Sequence, residues 1–431
     1  PLLTPEHKIY SDSTISRFLS EIGPDERSEF LNRWSSDRKH SEKIYISYDS
    51  TNKNCEAGDI EMVEFGHPKN DVGSPIFNYA VAYDMNNQTP LLYETYPGSI
   101  IDVSQLQYLI QKFQGYGYKN LGFVLDRGYF SKDNIRFMEA CNYDYVIMVK
   151  GRAEFVNSLI LEHKGSFETR RSNAIKEYRT YGKTIRSKLY VDDENDSYFH
   201  LYHKSGRENA ERTQLENKLA RMEEVMNKVK GKEVTLPKIY ANYYDLTYHE
   251  NKFYGYKERE DVIEQELSLC GYYAIVTSKK MTAGEALALY KNRDASEKLF
   301  CSDKSFLGNR SLRVMTTERI ESKIFIEFVA LIIRNRMYTL LTRRKAEMAK
   351  KPNFMTVPAA LRELEKIELI RQPGGYYKLD HAITATQKTI LGAFGLDEET
   401  ARAKAIVIGK ELANGVRPEK EDDEDGESEN L

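Results

Sequence analysis

The sequence has few cysteines and no long apolar run. None of its 431 residues belong to a stretch long and apolar enough for a transmembrane helix, and the first residues show no pattern of a secretion signal. The four cysteines, Cys55, Cys141, Cys270 and Cys301, form no CxxC pair, and the eight histidines are scattered. These features argue against a membrane-spanning protein, a disulfide framework and a zinc site, and they favour a protein of the reducing cytosol.

The net charge of −3 is unevenly distributed, because an acidic C-terminal segment follows a basic remainder of the chain. The segment "PEKEDDEDGESEN" (418–430) holds eight acids and one base, so it contributes −7 and the rest of the chain carries +4. Ten bases against four acids lie between residues 150 and 188, where tyrosines alternate with the bases. This stretch is either a solvated strand face or a surface that binds a nucleic-acid backbone, and the tyrosines favour the second.

Hydrophobic patterns predict an α/β protein. Alternation and β-branched residues predict a strand at 43–49, a hairpin follows at "IFNYAVAYDMNNQTPLLYETYPG", and "NLGFVLD" (120–126) is typical of a buried central strand. With the intervening amphipathic segments the predicted order is β-β-β-α-β-α-β. Asp49 and Asp126 stand where the first and fourth of these strands end, and Thr51 and Asn52 are interpreted as shaping the turn after Asp49.

The pattern breaks after this run and resumes at "GYYAIVT" (271–277), which indicates an α/β domain interrupted by an insertion. The C-terminal part reads as a long apolar helix at 321–348 followed by a small helix, hairpin and helix module. We therefore predict the following division: an N-terminal helical segment at 1–41, a first core part at 42–152, an insertion at 153–270, a second core part at 271–350, a C-terminal module at 351–416 and a disordered acidic tail at 417–431.

Four polar side chains between residues 290 and 304 are spaced so that one helix would bring them to the same face. Tyr290, Arg293, Glu297 and Lys304 lie at offsets 0, 3, 7 and 14 and, on one continuous helix, would fall within about a sixth of its circumference. An exposed (i, i+4) ion pair would explain Arg293 and Glu297 alone. A third carboxylate beside Asp49 and Asp126 explains more, because three carboxylates at close range repel unless divalent cations bind them. Hard oxygen ligands of this kind suit Mg²⁺ or Mn²⁺, and two such ions support phosphoryl transfer.

On these residues the chain resembles the DDE transposases of bacterial insertion sequences, in the branch with the signature Y-x2-R-x3-E-x6-K. "YDSTN" at Asp49 and "LDRGYFS" at Asp126 are similar to the family's two aspartate motifs, and Tyr290, Arg293, Glu297 and Lys304 match the signature without a change of spacing. The resemblance implies a ribonuclease-H-like core, a mixed sheet flanked by helices, with an inserted domain. It also implies that Asp49, Asp126 and Glu297 are the catalytic metal ligands for two Mg²⁺ or Mn²⁺ ions.

The predicted partners are DNA, as transposon terminal inverted repeats and target, and a second copy of the chain in a synaptic complex, with no membrane. The expected place of action is the cytoplasm of a bacterium or archaeon, on the nucleoid. The segment before residue 41 is short for the family's N-terminal DNA-binding region, which suggests truncation. The residues predicted to bind DNA are Tyr290, Arg293, Lys304, Arg127, Arg170, Arg171, Arg179, Lys183 and Arg186. For Arg127 a plain surface charge is an equal alternative. For the whole chain the alternatives are a ribonuclease-H-like nuclease without strand transfer and a non-catalytic DNA-binding remnant.

Overall fold

The computed structural model describes residues 10–36, 43–55, 60–66, 74–149, 154–193, 196–294, 298–300, 311–312, 314–349 and 352–414. Its strands are β1 Ile44–Cys55, β2 Ile76–Asp84, β3 Thr89–Pro97, β4 Leu121–Leu125, β5 Asp144–Met148, β6 Ala174–Ile175, β7 Thr180–Ser187, β8 Ser197–His203, β9 Tyr244–His249, β10 Lys252–Glu258, β11 Tyr272–Thr277, β12 Ser311–Leu312, β13 Leu369–Arg371 and β14 Tyr377–Leu379. Its α-helices are α1 Asp12–Glu21, α2 Pro24–Ser36, α3 Asp102–Gly115, α4 Lys132–Ala140, α5 Glu154–His163, α6 Ser205–Val229, α7 Glu260–Ser268, α8 Ala283–Lys291, α9 Thr317–Glu347, α10 Val357–Leu364, α11 Ala385–Ala393 and α12 Glu398–Ala413.

A large mixed sheet forms the centre of the fold. Its strands follow the order β3-β2-β1-β4-β5-β11-β8-β7-β6, and β12 pairs with β1. Strands β1, β4 and β5 are parallel, whereas β2 and β3 are antiparallel to their neighbours. The predicted element order and fold class, a ribonuclease-H-like mixed sheet flanked by helices, are confirmed.

The first strand is longer than the sequence pattern predicts. β1 continues through Asp49 to Cys55, so Asp49 lies within the strand, and Thr51 and Asn52 form strand rather than a turn. The prediction was wrong here because residues 50–54 are polar and read as loop. The ladder with β2 nevertheless runs without a break from Ile46 to Asn54.

The inserted segment divides into two parts. Strands β6, β7 and β8 extend the central sheet, because β8 pairs with β11 and β11 pairs with β5. The remainder, α6, the β9–β10 hairpin and α7, packs around its own small core, which includes Met226, Tyr244 and Phe253. The proposed limits 153–270 for an inserted domain stay a prediction.

Helix α9 covers the antiparallel end of the sheet and contains one buried ion pair. Ile320, Ile324, Phe328 and Leu331 are fully buried, which accounts for the apolar pattern of this segment. Among them, the Oε2 atom of Glu327 lies 2.9 Å from the Nζ atom of Lys53 on β1. A buried charge pair is expensive to separate, and this one joins α9 to the strand that contains Asp49.

The C-terminal module consists of α10, the β13–β14 hairpin, α11 and α12, and it packs on α9 through Leu341. No helix in the described parts of the chain has the length and apolar character needed to cross a membrane.

Candidate active site

Two neighbouring parallel strands bring Asp49 and Asp126 together. Tyr48 of β1 lies opposite Leu125 of β4, and the two aspartates are the next residues along each chain. Successive side chains alternate between the two faces of a sheet, so both aspartate side chains lie on the face opposite to the side chains of Tyr48 and Leu125. They therefore point to the same side of the sheet, the side that α8 covers.

Helix α8 crosses this face because one of its sides is apolar. Ala283, Ala286, Leu287 and Tyr290 recur at helical spacing, and all four are buried. A capping box at Thr282 fixes the start of the helix. This packing places Tyr290, in the last turn, above the end of β4.

The hydroxyl of Tyr290 donates a hydrogen bond to Oδ1 of Asp126 over 3.0 Å. The same oxygen accepts the backbone amide of Arg127 at 2.8 Å, so two donors fix the orientation of the carboxylate. Burial, and next the charge of Asp126, raise the pKa of Tyr290 well above its usual value. The tyrosine therefore remains protonated and can act as a donor over the whole range of physiological pH.

Arg293 approaches the other aspartate. Its Nη1 atom lies 3.7 Å from Oδ2 of Asp49, and only 7% of the residue is exposed. The guanidinium carbon is 5.5 Å from the centroid of the Tyr290 ring. One cation and one hydroxyl, both from the segment that ends α8, thus contact the two aspartates.

The expectation of one continuous helix from Tyr290 through Lys304 is wrong. Helix α8 ends at Lys291, and Arg293 lies in a turn. The backbone amide of Arg293 donates a hydrogen bond to the carbonyl of Tyr290 over 3.2 Å. Asn292 forms the C-cap, consistent with its weak helix propensity. Glu297 and Lys304 lie outside the described residues. Tyr290 and Arg293 are brought together as predicted, although a turn rather than a helix does so.

A divalent cation fits the chemistry of the two aspartates. Asp49 and Asp126 supply carboxylate oxygens on adjacent strands, which is the donor type that Mg²⁺ and Mn²⁺ prefer. Within the described ranges, no three His, Cys, Asp or Glu side chains come together as a metal-binding group. The predicted third ligand, Glu297, is not among these residues.

The other residues predicted to bind DNA occupy different surroundings. Arg127, Arg170, Arg171 and Arg179 are exposed. Two others already have protein partners in the insertion. The Nζ atom of Lys183 lies 3.2 Å from Ser166 Oγ, and Arg186 forms an ion pair with Asp196 at 2.9 Å. A role in DNA binding remains a prediction for each of them.

A wide groove borders the end of α8 and was not predicted. Its volume is about 1600 Å³, and its walls come from β6–β7, the start of α6, the end of α8, α9 and the segment before α10. Met148 lines the groove, and its sulfur lies 3.7 Å from the hydroxyl of Tyr290. Cations outnumber acids among the residues that line it. The cations are Arg179, Lys204, Arg207, Lys291, Lys298, Arg334 and Lys345, and the acids are Glu177 and Asp294. The groove is therefore basic, and Met148 lies between it and the Tyr290 hydroxyl.

A ribonuclease-H-like sheet with paired aspartates on neighbouring strands defines a class of proteins that transfer phosphoryl groups in nucleic acids. Residues 46–333 match the family described as the transposase DDE domain, and the chain belongs to this family. A comparison with curated proteins finds no match.

Several solved structures of transposases are similar to the chain at low identity. They include a piggyBac transposase synaptic complex with hairpin DNA, at 6% identity, with 86% of this chain and 53% of that chain covered and a TM-score of 0.36. A Mos1 mariner paired end complex with Mn shows 13% identity over 32% of this chain and 43% of that chain, with a TM-score of 0.17. A Drosophila P element transposase strand transfer complex shows 11% identity over 94% and 74%, with a TM-score of 0.20. The chain spans about half the length of the piggyBac transposase chain.

Proposed function

We propose that this protein is a transposase that cuts DNA at transposon ends and joins the released 3′ end to target DNA. The observation that carries the proposal is the pairing of Asp49 and Asp126 on adjacent parallel strands, with Tyr290 and Arg293 in contact with them. The family match supports the same class of reaction. A bacterial or archaeal cytoplasm, the insertion-sequence branch and a synaptic homodimer are parts of this proposal.

The residues of the site have separable roles in this mechanism. Asp49 and Asp126 would supply oxygens for two Mg²⁺ or Mn²⁺ ions, with Glu297 as the third carboxylate. Such ions would activate the attacking water or 3′-hydroxyl and stabilise the leaving oxygen. Tyr290 holds the Asp126 carboxylate in one orientation, and Arg293 supplies positive charge next to Asp49. Positioning by groups that are already in place reduces the reorganisation needed in the transition state.

The basic groove supports DNA as the substrate. Its lining includes Met148, next to the Tyr290 hydroxyl, and Lys345 on α9. Phosphates that follow this path would meet cations from four separate segments, and Tyr178 would be available to stack on a base. The exposed arginines Arg170 and Arg171 would then contact DNA outside the groove.

The test is a cleavage and joining assay with DNA that contains the repeats flanking the gene. Asp49→Asn and Asp126→Asn should each reduce Mg²⁺-dependent cleavage by ~10³-fold or more while DNA binding is kept, because each removes a charged metal ligand. Asp133→Asn, at an exposed aspartate in the first turn of α4, is the matched control and should cleave normally. Glu297→Gln tests the third carboxylate in the same way.

The products distinguish the alternatives. Cleavage without joined products in the wild-type protein would indicate a nuclease that lacks strand transfer. DNA binding without any cleavage would indicate a non-catalytic remnant. Full activity of Asp126→Asn would remove the proposed site.

A further inference from the structure

Arg293 is a buried cation whose charge is balanced by a proposed metal ligand. Its guanidinium lies 3.7 Å from Oδ2 of Asp49, and only 7% of the residue is exposed. Burying a charged group is costly unless an opposite charge or hydrogen bonds compensate. The carboxylate of Asp49 therefore faces Arg293 through Oδ2, and its Oδ1 accepts the backbone amide of Ser50 over 2.9 Å.

A divalent cation at Asp49 would share that carboxylate with the guanidinium. Two cations near one carboxylate repel each other, and the repulsion is strong in a site that is partly shielded from water. Arg293 should therefore weaken the binding of a metal ion to the protein alone. The repulsion falls if an anion takes up the charge of the guanidinium, and arginine binds phosphate through two parallel hydrogen bonds.

We infer that Arg293 couples metal binding to DNA binding, so that the site loads its divalent ions tightly only when a DNA phosphate is present. This inference rests on the proposed function, since it takes Asp49 as a metal ligand and DNA as the substrate. Coupling between two ligands is reciprocal, so the metal ion must tighten DNA binding by the same factor. The Tyr290 hydroxyl cannot replace this effect, because it is neutral and is directed to Asp126.

The coupling also has a consequence for the reaction. Under the inferred coupling, Asp49 binds its metal ion tightly only when the DNA substrate binds. Arg293 is thus a positioning residue that acts through Asp49.

The experiment measures Mn²⁺ binding to the full chain by titration calorimetry, without DNA and with a short DNA duplex. In the wild-type protein the duplex should tighten Mn²⁺ binding by about fivefold or more, which is the lower end of ordinary coupling between sites. Arg293→Gln should tighten Mn²⁺ binding in the absence of DNA by about the same factor, and the duplex should then add little. Arg293→Lys keeps the charge and should retain most of the wild-type dependence on DNA.

Arg402→Gln is the matched control, since it removes one arginine that is paired with Glu398 on the C-terminal helix α12. It should bind Mn²⁺ as the wild-type protein does. Asp49→Asn reports separately on the proposed function. If Asp49→Asn does not weaken Mn²⁺ binding, the proposed metal site itself is wrong.

If Asp49→Asn abolishes Mn²⁺ binding but Arg293→Gln leaves the DNA-free affinity unchanged, the coupling is wrong and the site stands. Circular dichroism of each variant establishes folding before titration. Should Arg293→Gln fail to fold, the wild-type titrations still decide the matter, because equal Mn²⁺ affinity with and without duplex overturns the inference.

Discussion

Removal of Lys53 should destabilise the whole core, although this residue is not among those that line the basic groove. Its side chain is fully buried, its Nζ atom lies 2.9 Å from Glu327 Oε2, and it also lies 5.1 Å from the centroid of the Tyr79 ring. In Lys53→Met the carboxylate of Glu327, 6% exposed, would lose its counter-charge in an apolar setting. Breaking a buried pair from one side costs about 3–5 kcal/mol. The total stability of a domain is only about 5–15 kcal/mol, so this is a large share.

Urea unfolding followed by circular dichroism measures the effect. A loss of about 3 kcal/mol lowers the unfolding midpoint by about 1 M or somewhat less, because the urea slope of a chain of this size is about 3 kcal/mol per M or more. The double variant Lys53→Met/Glu327→Leu removes both charges and should recover most of the loss, because well-packed apolar residues often replace buried pairs without cost. Lys228→Met breaks an exposed pair with Glu224 and serves as the control, with an expected change of about 0.5 kcal/mol or less.

Either of two results would contradict a stabilising role of the Lys53–Glu327 pair. One is a midpoint for Lys53→Met that moves no further than that of Lys228→Met. The other is a double variant as unstable as Lys53→Met alone, since that would mean that the lysine side chain, and not the pairing, supplies the stability.

Two further predictions concern acid stability and DNA affinity. Burial lowers the pKa of His200 to about 4, against the opposing charge of Glu285, so between pH 6.5 and 4 the unfolded chain binds a proton that the folded chain does not. The stability due to neutral His200 is complete above pH 6.5 and decreases by about 3 kcal/mol as the pH falls to 4. In His200→Gln the free energy of unfolding, measured in urea at several pH values, should depend less on pH over this range. An unchanged pH dependence would contradict the lowered pKa of His200. In the basic groove, Lys204→Gln and Lys345→Gln should each reduce the slope of log K against log salt for DNA binding by about 1. Lys228→Gln should leave that slope unchanged, and equal slopes in all variants would place the DNA elsewhere.

The central sheet could be predicted because its signals are local. Alternating or continuous apolar residues mark β2 to β5, and turn residues separate them, so their order followed from the chain itself. Asp49 and Asp126 could be aligned because each lies in or directly after a recognisable strand. Parallel neighbours then bring them together without any further information.

The remaining features depend on contacts between distant segments. The polar end of β1 is stabilised as a strand by pairing with β2 and β12 and by the contact of Glu327 with Lys53, and none of these contacts is visible in residues 50–55. The end of α8 at Lys291 separates Arg293 from the helix, whereas spacing alone favoured an uninterrupted helix. The groove escaped prediction because Lys204, Arg207 and Lys345 come from separate parts of the chain and join only in the folded protein.

The continuation of the central sheet into the insertion limits how far this protein could be trimmed. Strand β11 has hydrogen-bonded neighbours on both sides, β5 from the core and β8 from the insertion. Excision of residues 154–270 to obtain a minimal catalytic unit would leave one side of β11 with unpaired amides and carbonyls. Such bare edges recruit other strands and promote aggregation. A soluble miniature version would need β7 and β8 retained, with only the α6 to α7 portion replaced by a short linker.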